Sequence, residues 1–160
     1  MIRKFGKWMP RVNREAIIDE TAIIMGNVII EKAFIFPQAM IRADEHEAII
    51  KDGAAILDRA FIEAHEKVVI GEGSIVSHGA IVHGGNIGKN ILVGIGAIIL
   101  GASVGDNSII AAGSVVKDDV ENGIMVAGIP AKKVRSVNEK DTEHMEKIRN
   151  EIKMKARWLK

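Results

Sequence analysis

The sequence contains no cysteine, which excludes disulfides and thiolate metal centres, so any metal would have to be held by His, Asp or Glu. The same absence suits a reducing compartment, and a cytoplasmic location is expected. Aromatic residues are scarce, at 4% with no tyrosine, which argues against a sandwich anchored on Trp and Tyr. No apolar run approaches the roughly eighteen residues of a membrane-spanning helix. The N-terminal MIRKFGKWMP is basic but has no apolar segment of the kind a signal peptide requires. An excess of charge of one sign is also missing: 22 Lys and Arg against 21 Asp and Glu give a formal charge of +1. Neither a nucleic acid nor a membrane surface is therefore expected as a partner.

Aliphatic residues and glycine fill the space these absences leave. The 160 residues are 48% hydrophobic and include 16 glycines, a composition suited to one domain of thin stacked layers. From Ile70 to Leu100 an aliphatic residue returns every sixth position as Ile70, Val76 and Val82. It slips by one and resumes as Ile87, Val93 and Ile99. A period of six fits neither a helix nor an alternating strand, but it fits a short-period solenoid. Counting in sixes from the N-terminal side gives Val12, Ile18, Ile24, Ile30, Phe36 and Arg42. After a two-residue insertion the count continues at Ile50, Ile56 and Ile62, and later through Val104, Ile110 and Val116. Three hexads make one triangular coil. Roughly six coils are expected between Val12 and Val120, each stable only against its neighbours. The expected fold class is an all-β solenoid, a left-handed parallel β-helix of hexapeptide repeats, with a C-terminal α-helix. Residues 1–135 would form the solenoid with its lead-in, and residues 136–160 the helix, whose apolar residues Met145, Ile148, Ile152, Ala156 and Leu159 recur at helical spacing. Trp158 is expected to pack.

The insertions Asp44–Ile49 and Glu63–Val69 fall on the same corner, where extra residues become loops. Arg42 takes an inward slot in the count, where a charge needs a partner. In this frame His83 stacks directly over Glu63, at about one strand spacing of 4.8 Å. His65, two residues on, can swing toward the same place. His78 lies on the preceding side, with Asp58 at the matching position one coil below. His78 and His83 thus lie on adjoining sides and could share a metal only between side-by-side subunits of a ring. Imidazoles plus water make a Zn²⁺ or Fe²⁺/Co²⁺ site that acidifies water. The same histidines could equally cap turns or bond across subunits.

IRADE (Ile41–Glu45), SHGAIVHGG (Ser77–Gly85), MVAGIPAKKVR (Met125–Arg135) and a terminal helix, taken together, resemble the γ-class carbonic anhydrase family over nearly the whole chain. The resemblance implies a homotrimer with a metal, Zn²⁺ or Fe²⁺/Co²⁺, bound between subunits by three histidines. It also implies reversible hydration of CO₂ to bicarbonate by a metal-bound hydroxide. By position His83 resembles a same-chain ligand and His78 the cross-chain one. Arg42 and Asp44 match a salt-bridged pair that supports the trimer. The first ligand position holds Glu63, so His65 is expected as the third ligand, with Glu63 as the alternative. Asp58 keeps a family position, but Leu57 stands where a glutamine usually precedes it. Glu45 and Glu66 fall where loop acids relay protons. Two other functions fit the same scaffold: an acyl-CoA-dependent acyltransferase using one histidine as base, and a non-catalytic trimeric binder with a degenerate metal site.

Overall fold

A computed structural model describes residues 1–159; Lys160, the last residue assigned to the helical tail, lies outside the described residues. The chain winds as a triangular solenoid in which each coil contributes one short strand to each of three sides. Inward residues run Val12, Ile18, Ile24, then Ile30, Ile35, Ile41, then Ile50, Ile56, Ile62, and so on to Val104, Ile110, Val116. Six coils are complete, and Val120 and Val126 begin a seventh. Each inward residue stacks on its counterpart one coil away, as in the parallel pairs Ile41↔Ile62 and Val82↔Ile99. Burying one such side chain stabilises by about 2–3 kcal/mol. The tight turn into the third side takes a fully buried alanine in successive coils: Ala22, Ala39, Ala60, Ala80 and Ala97.

The count read from the sequence names the wrong inward residues at one place. From Ile30 to the next inward residue the interval is five, so Ile35 and Ile41 are buried rather than Phe36 and Arg42 in the inward slots. Arg42 therefore faces outward and needs no interior partner. Measured from Ile41, the first insertion is three residues long rather than two. The insertions do share a corner: both interrupt the same ladder, between Ala43 and Ala48 and between Ala64 and Val68. Below and above them the corner is turned tightly on Gly26 and on Gly84-Gly85, all at positive φ.

The second side is covered by helix α1 (Glu139–Ala156), which continues as a short 3₁₀ turn, Arg157–Leu159. Ile148, Ile152, Ala156 and Leu159 pack on Ile17, Ala55, Leu57 and Ile75. The apolar stripe read from the sequence is the buried one, and it lies on its own solenoid. Trp158 is the exception: it is 79% exposed and belongs to neither packed cluster of the described residues. The helix starts at a capping box in which Asn138 and Asp141 bond each other's backbone N–H. Arg135 and the Asn138 N–H hold the Asp141 carboxyl at about 2. A carboxyl whose folded value is depressed stabilises above its unfolded value, and that contribution is lost as pH falls through the folded one. Melting temperature should therefore fall from about pH 4 to 2 less steeply in Asp141→Asn than in the unaltered protein, as followed by circular dichroism.

The strand Ile124–Gly128 is the last parallel rung of the second side. The chain then turns at Ile129-Pro130 and returns antiparallel as Ala131–Ser136. At the opposite end Ile2–Arg3 pairs with Ile24 and Met25. No helix among the described residues is long and apolar enough to cross a membrane.

Candidate functional site

The third side presents two outward columns. One is apolar from coil to coil: Ile23, Met40, Phe61, Ile81, Ile98 and Val115 stack in register, all half-buried. The other runs Arg42, Glu63, His83 and Leu100, each one coil above the last. The expected stacking of His83 on Glu63 is thus observed. Arg42 is ion-paired with one Glu63 oxygen, and Nε2 of His83 lies 3.5 Å from the other. His65 leaves its insertion loop and stacks on His83, ring centres 4.1 Å apart and planes at 21°. The space for this stacking comes from Gly84, where a Cβ would collide with His65 and with the Glu66 carboxylate. Glu66 also reaches over Gly101, with Oε1 3.3 Å from where a Cβ would stand.

The other half of the candidate set sits on the corner between the second and third sides. There Nδ1 of His78 is 2.9 Å from Oδ2 of Asp58, one coil below as expected. When Nδ1–H donates to the carboxylate, Nε2 is left as the free electron pair. This arrangement suits both metal ligation and general-base work. Gly79, which follows, is at φ +65, and a Cβ there would meet open space, so the turn alone asks for glycine. Directly above His78 is Ile95, 60% exposed, and above His83 is Leu100, 45% exposed.

His65, His83, Glu63, Arg42 and Glu66 are therefore brought together, and His78 with Asp58 forms a separate pair. Asp44 accepts from the Glu45 N–H and makes no pair with Arg42 within the chain, which Glu63 engages instead. Glu45 is exposed in the loop. No three metal-ligating side chains converge within the chain among the described residues. Imidazole nitrogens with one carboxylate fit Zn²⁺, Fe²⁺ or Co²⁺ by donor type, but the Glu63 charge is already balanced by Arg42. Sequence reasoning missed Ile95 and Leu100. Each lies seventeen residues after its histidine, the length of a coil without insertions, so the period itself held the signal.

No family model matches the chain. A carnitine operon protein CaiE from Escherichia fergusonii is 35% identical over 89 residues, 54% of this chain and 45% of that one. Its counterpart from Escherichia coli is 34% identical over 85 residues, so the chain spans about half the length of the curated relatives it matches. Two solved structures match along nearly the full length. A Bacillus cereus protein provisionally called an acetyltransferase superposes with a TM-score of 0.93 at 29% identity, covering 98% of this chain and 95% of that one. A hexapeptide transferase family protein from Anaplasma phagocytophilum gives 0.89 at 27%, covering 96% and 95%. The N-acyltransferase AntD from Bacillus cereus, at 15% identity and a TM-score of 0.73 over 90% of this chain and 92% of that one, shares the fold alone. With its stacked parallel coils, its six-residue inward period and these two full-length likenesses, the chain is a hexapeptide-repeat protein folded as a left-handed parallel β-helix.

Proposed function

We propose that the chain is a homotrimeric, γ-carbonic anhydrase-like enzyme that catalyses CO₂ + H₂O ⇌ HCO₃⁻ + H⁺ at the junction between subunits. The observation that carries this reading is the Asp58–His78 pair, which frees one imidazole nitrogen at the edge of the side that bears His83. The unbroken apolar column of that side supports self-association there, because a stacked row of outward Ile, Met and Phe gains most by being covered. His83 and His65 of one chain, with His78 of the partner subunit, would hold a divalent cation. When bound, such a cation lowers the pKa of water and supplies a hydroxide nucleophile near neutral pH. Asp58 fixes the tautomer and orientation of His78. Ile95 and Leu100 give an apolar roof suited to uncharged CO₂. Glu66, held over Gly84 beside His65, takes the released proton toward solvent. Glu45, out in the other loop, would act only as a later acceptor.

Metal analysis of freshly purified protein with a CO₂-hydration assay tests this reading. His65→Ala should lose the metal while Glu63→Ala keeps it, because Arg42 already engages Glu63. The reverse result would make Glu63 the third ligand. Metal-loaded protein no faster than free metal would overturn the hydration reading.

A second reading, acyl transfer from acyl-CoA, draws on the same pair: His78 oriented by Asp58 is a ready general base for an acceptor hydroxyl or amine. The transferase names of the full-length structural neighbours favour it. Thermal shift separates the two, since acetyl-CoA should raise the melting temperature under the second reading and Zn²⁺ or Co²⁺ under the first.

A further inference from the structure

A crevice of about 430 Å³ lies between helix α1 and the corner that carries Asp58 and His78. Phe36, Leu57 and Ile152 form its floor, and Ile148 and Trp158 stand at its sides. The space is several times what CO₂ or bicarbonate occupies, and it shares Asp58 and His78 with the site while extending along helix α1. Three observations define what it would take. Its walls are apolar, and Leu57, which stands where the resemblance leads one to expect a glutamine, is 6% exposed and belongs to the floor. Its one cation is already paired, Lys155 lying 2.6 Å from Glu151, while Asp58 takes His78 on one carboxylate oxygen and keeps the other as an acceptor. An anionic occupant would therefore gain little, whereas a hydroxyl or N–H donor finds an acceptor in Asp58. Finally, Trp158 stands at the rim 79% exposed and belongs to neither packed cluster of the described residues, so its indole face is open to a ligand.

We infer that this crevice is a ligand site for an uncharged, compact apolar molecule, with an aryl or short alkyl body and one hydroxyl or N–H donor. The body, of roughly ten non-hydrogen atoms, lies on Leu57 and against the Trp158 face. The donor meets Asp58, whose second carboxylate oxygen is available while the first takes His78. Nε2 of His78 plays no part, so the inference stands apart from the metal reading and can fail or hold independently of it.

The experiment uses the full-length protein with Trp8→Phe, which leaves Trp158 as the sole tryptophan, and a chelator to exclude metal effects. Trp158 emission is titrated with benzyl alcohol, 2-phenylethanol and 3-phenyl-1-propanol, and with their methyl ethers. The expected result is a saturable change, with affinity rising about fourfold per added methylene and the alcohols binding more tightly than the ethers. Leu57→Gln should weaken binding tenfold or more. Trp158→Ala, at an exposed position that folding does not depend on, should do the same when binding is read by calorimetry. Asp58→Leu should erase the preference for alcohol over ether. An emission change that never saturates would overturn the inference, as would equal affinities in the parent and Leu57→Gln. So would a Trp158 already shielded from acrylamide in the assembled protein, since a neighbouring subunit would then fill the crevice.

Discussion

Under the hydration reading, His78→Ala should lower kcat/KM for CO₂ hydration at least a hundredfold, and bound metal should fall with it. The reason is geometric. The imidazole is 53% exposed on a corner, so it contributes little to the packing of the solenoid, and its loss should leave the melting temperature within a few degrees of the parent. Asp58→Asn is the informative companion. The amide can no longer draw the Nδ1 proton as a charged acceptor, so the tautomer is less firmly fixed, and a tenfold to hundredfold loss of metal affinity or rate is expected. Under the acyl-transfer reading the same histidine variant would lose a comparable factor in transfer rate, with no metal to lose. Metal content and rate measured on one sample therefore separate the readings. Should His78→Ala retain both, the assignment of the corner pair is wrong.

Gly85→Ala should be the most damaging single substitution near the site. Gly85 is at φ +89, and a Cβ there would overlap the Ala102 carbonyl on the next coil. Backbone, not a flexible side chain, is in the way. A cost of about 3 kcal/mol or more is expected, or roughly 6–12 °C in melting temperature for a chain of this size. Gly96→Ala is the control. It shares the left-handed conformation at φ +66 but has open space at the Cβ, so only the conformational cost of about 1 kcal/mol should be felt. A thermal scan in which the two variants melt together would show that the close approach at Gly85 is relieved by a small shift of the coil. Because His83 lies two residues earlier on the same strand, the Gly85 variant should also disturb the His65–His83 stack.

Much of this architecture was legible in the residues because inward positions of a solenoid must be aliphatic and must recur at the coil period. Ile62, Val82 and Ile99 take their inward places from the repeat alone, and with them come the stacking of Glu63 beneath His83 and of Asp58 beneath His78. What failed were the places where the period is broken. One five-residue turn after Ile30 put Ile41 inside and moved Arg42 to the surface, because a corner can shorten without disturbing the stack on either side. That single shift changes Arg42 from a residue needing an interior partner to one that holds Glu63. The position of His65 depends on a loop whose path is set by the two glycines on the coil above it, which no periodicity encodes. Trp158 lies off the helical stripe that Ala156 and Leu159 continue, so its side chain points away from the packed face.

The antiparallel strand Ala131–Ser136 has a consequence for the life of the molecule in solution. A prism of parallel rungs has two open ends, each a template onto which another copy could add without limit. The returning strand lies along the final rung and runs the wrong way for a further parallel layer, with Lys132, Lys133 and Arg135 among its six residues. Growth along the axis into fibres is thereby stopped at one end by direction and charge, while sideways association, which the apolar column favours, stays open.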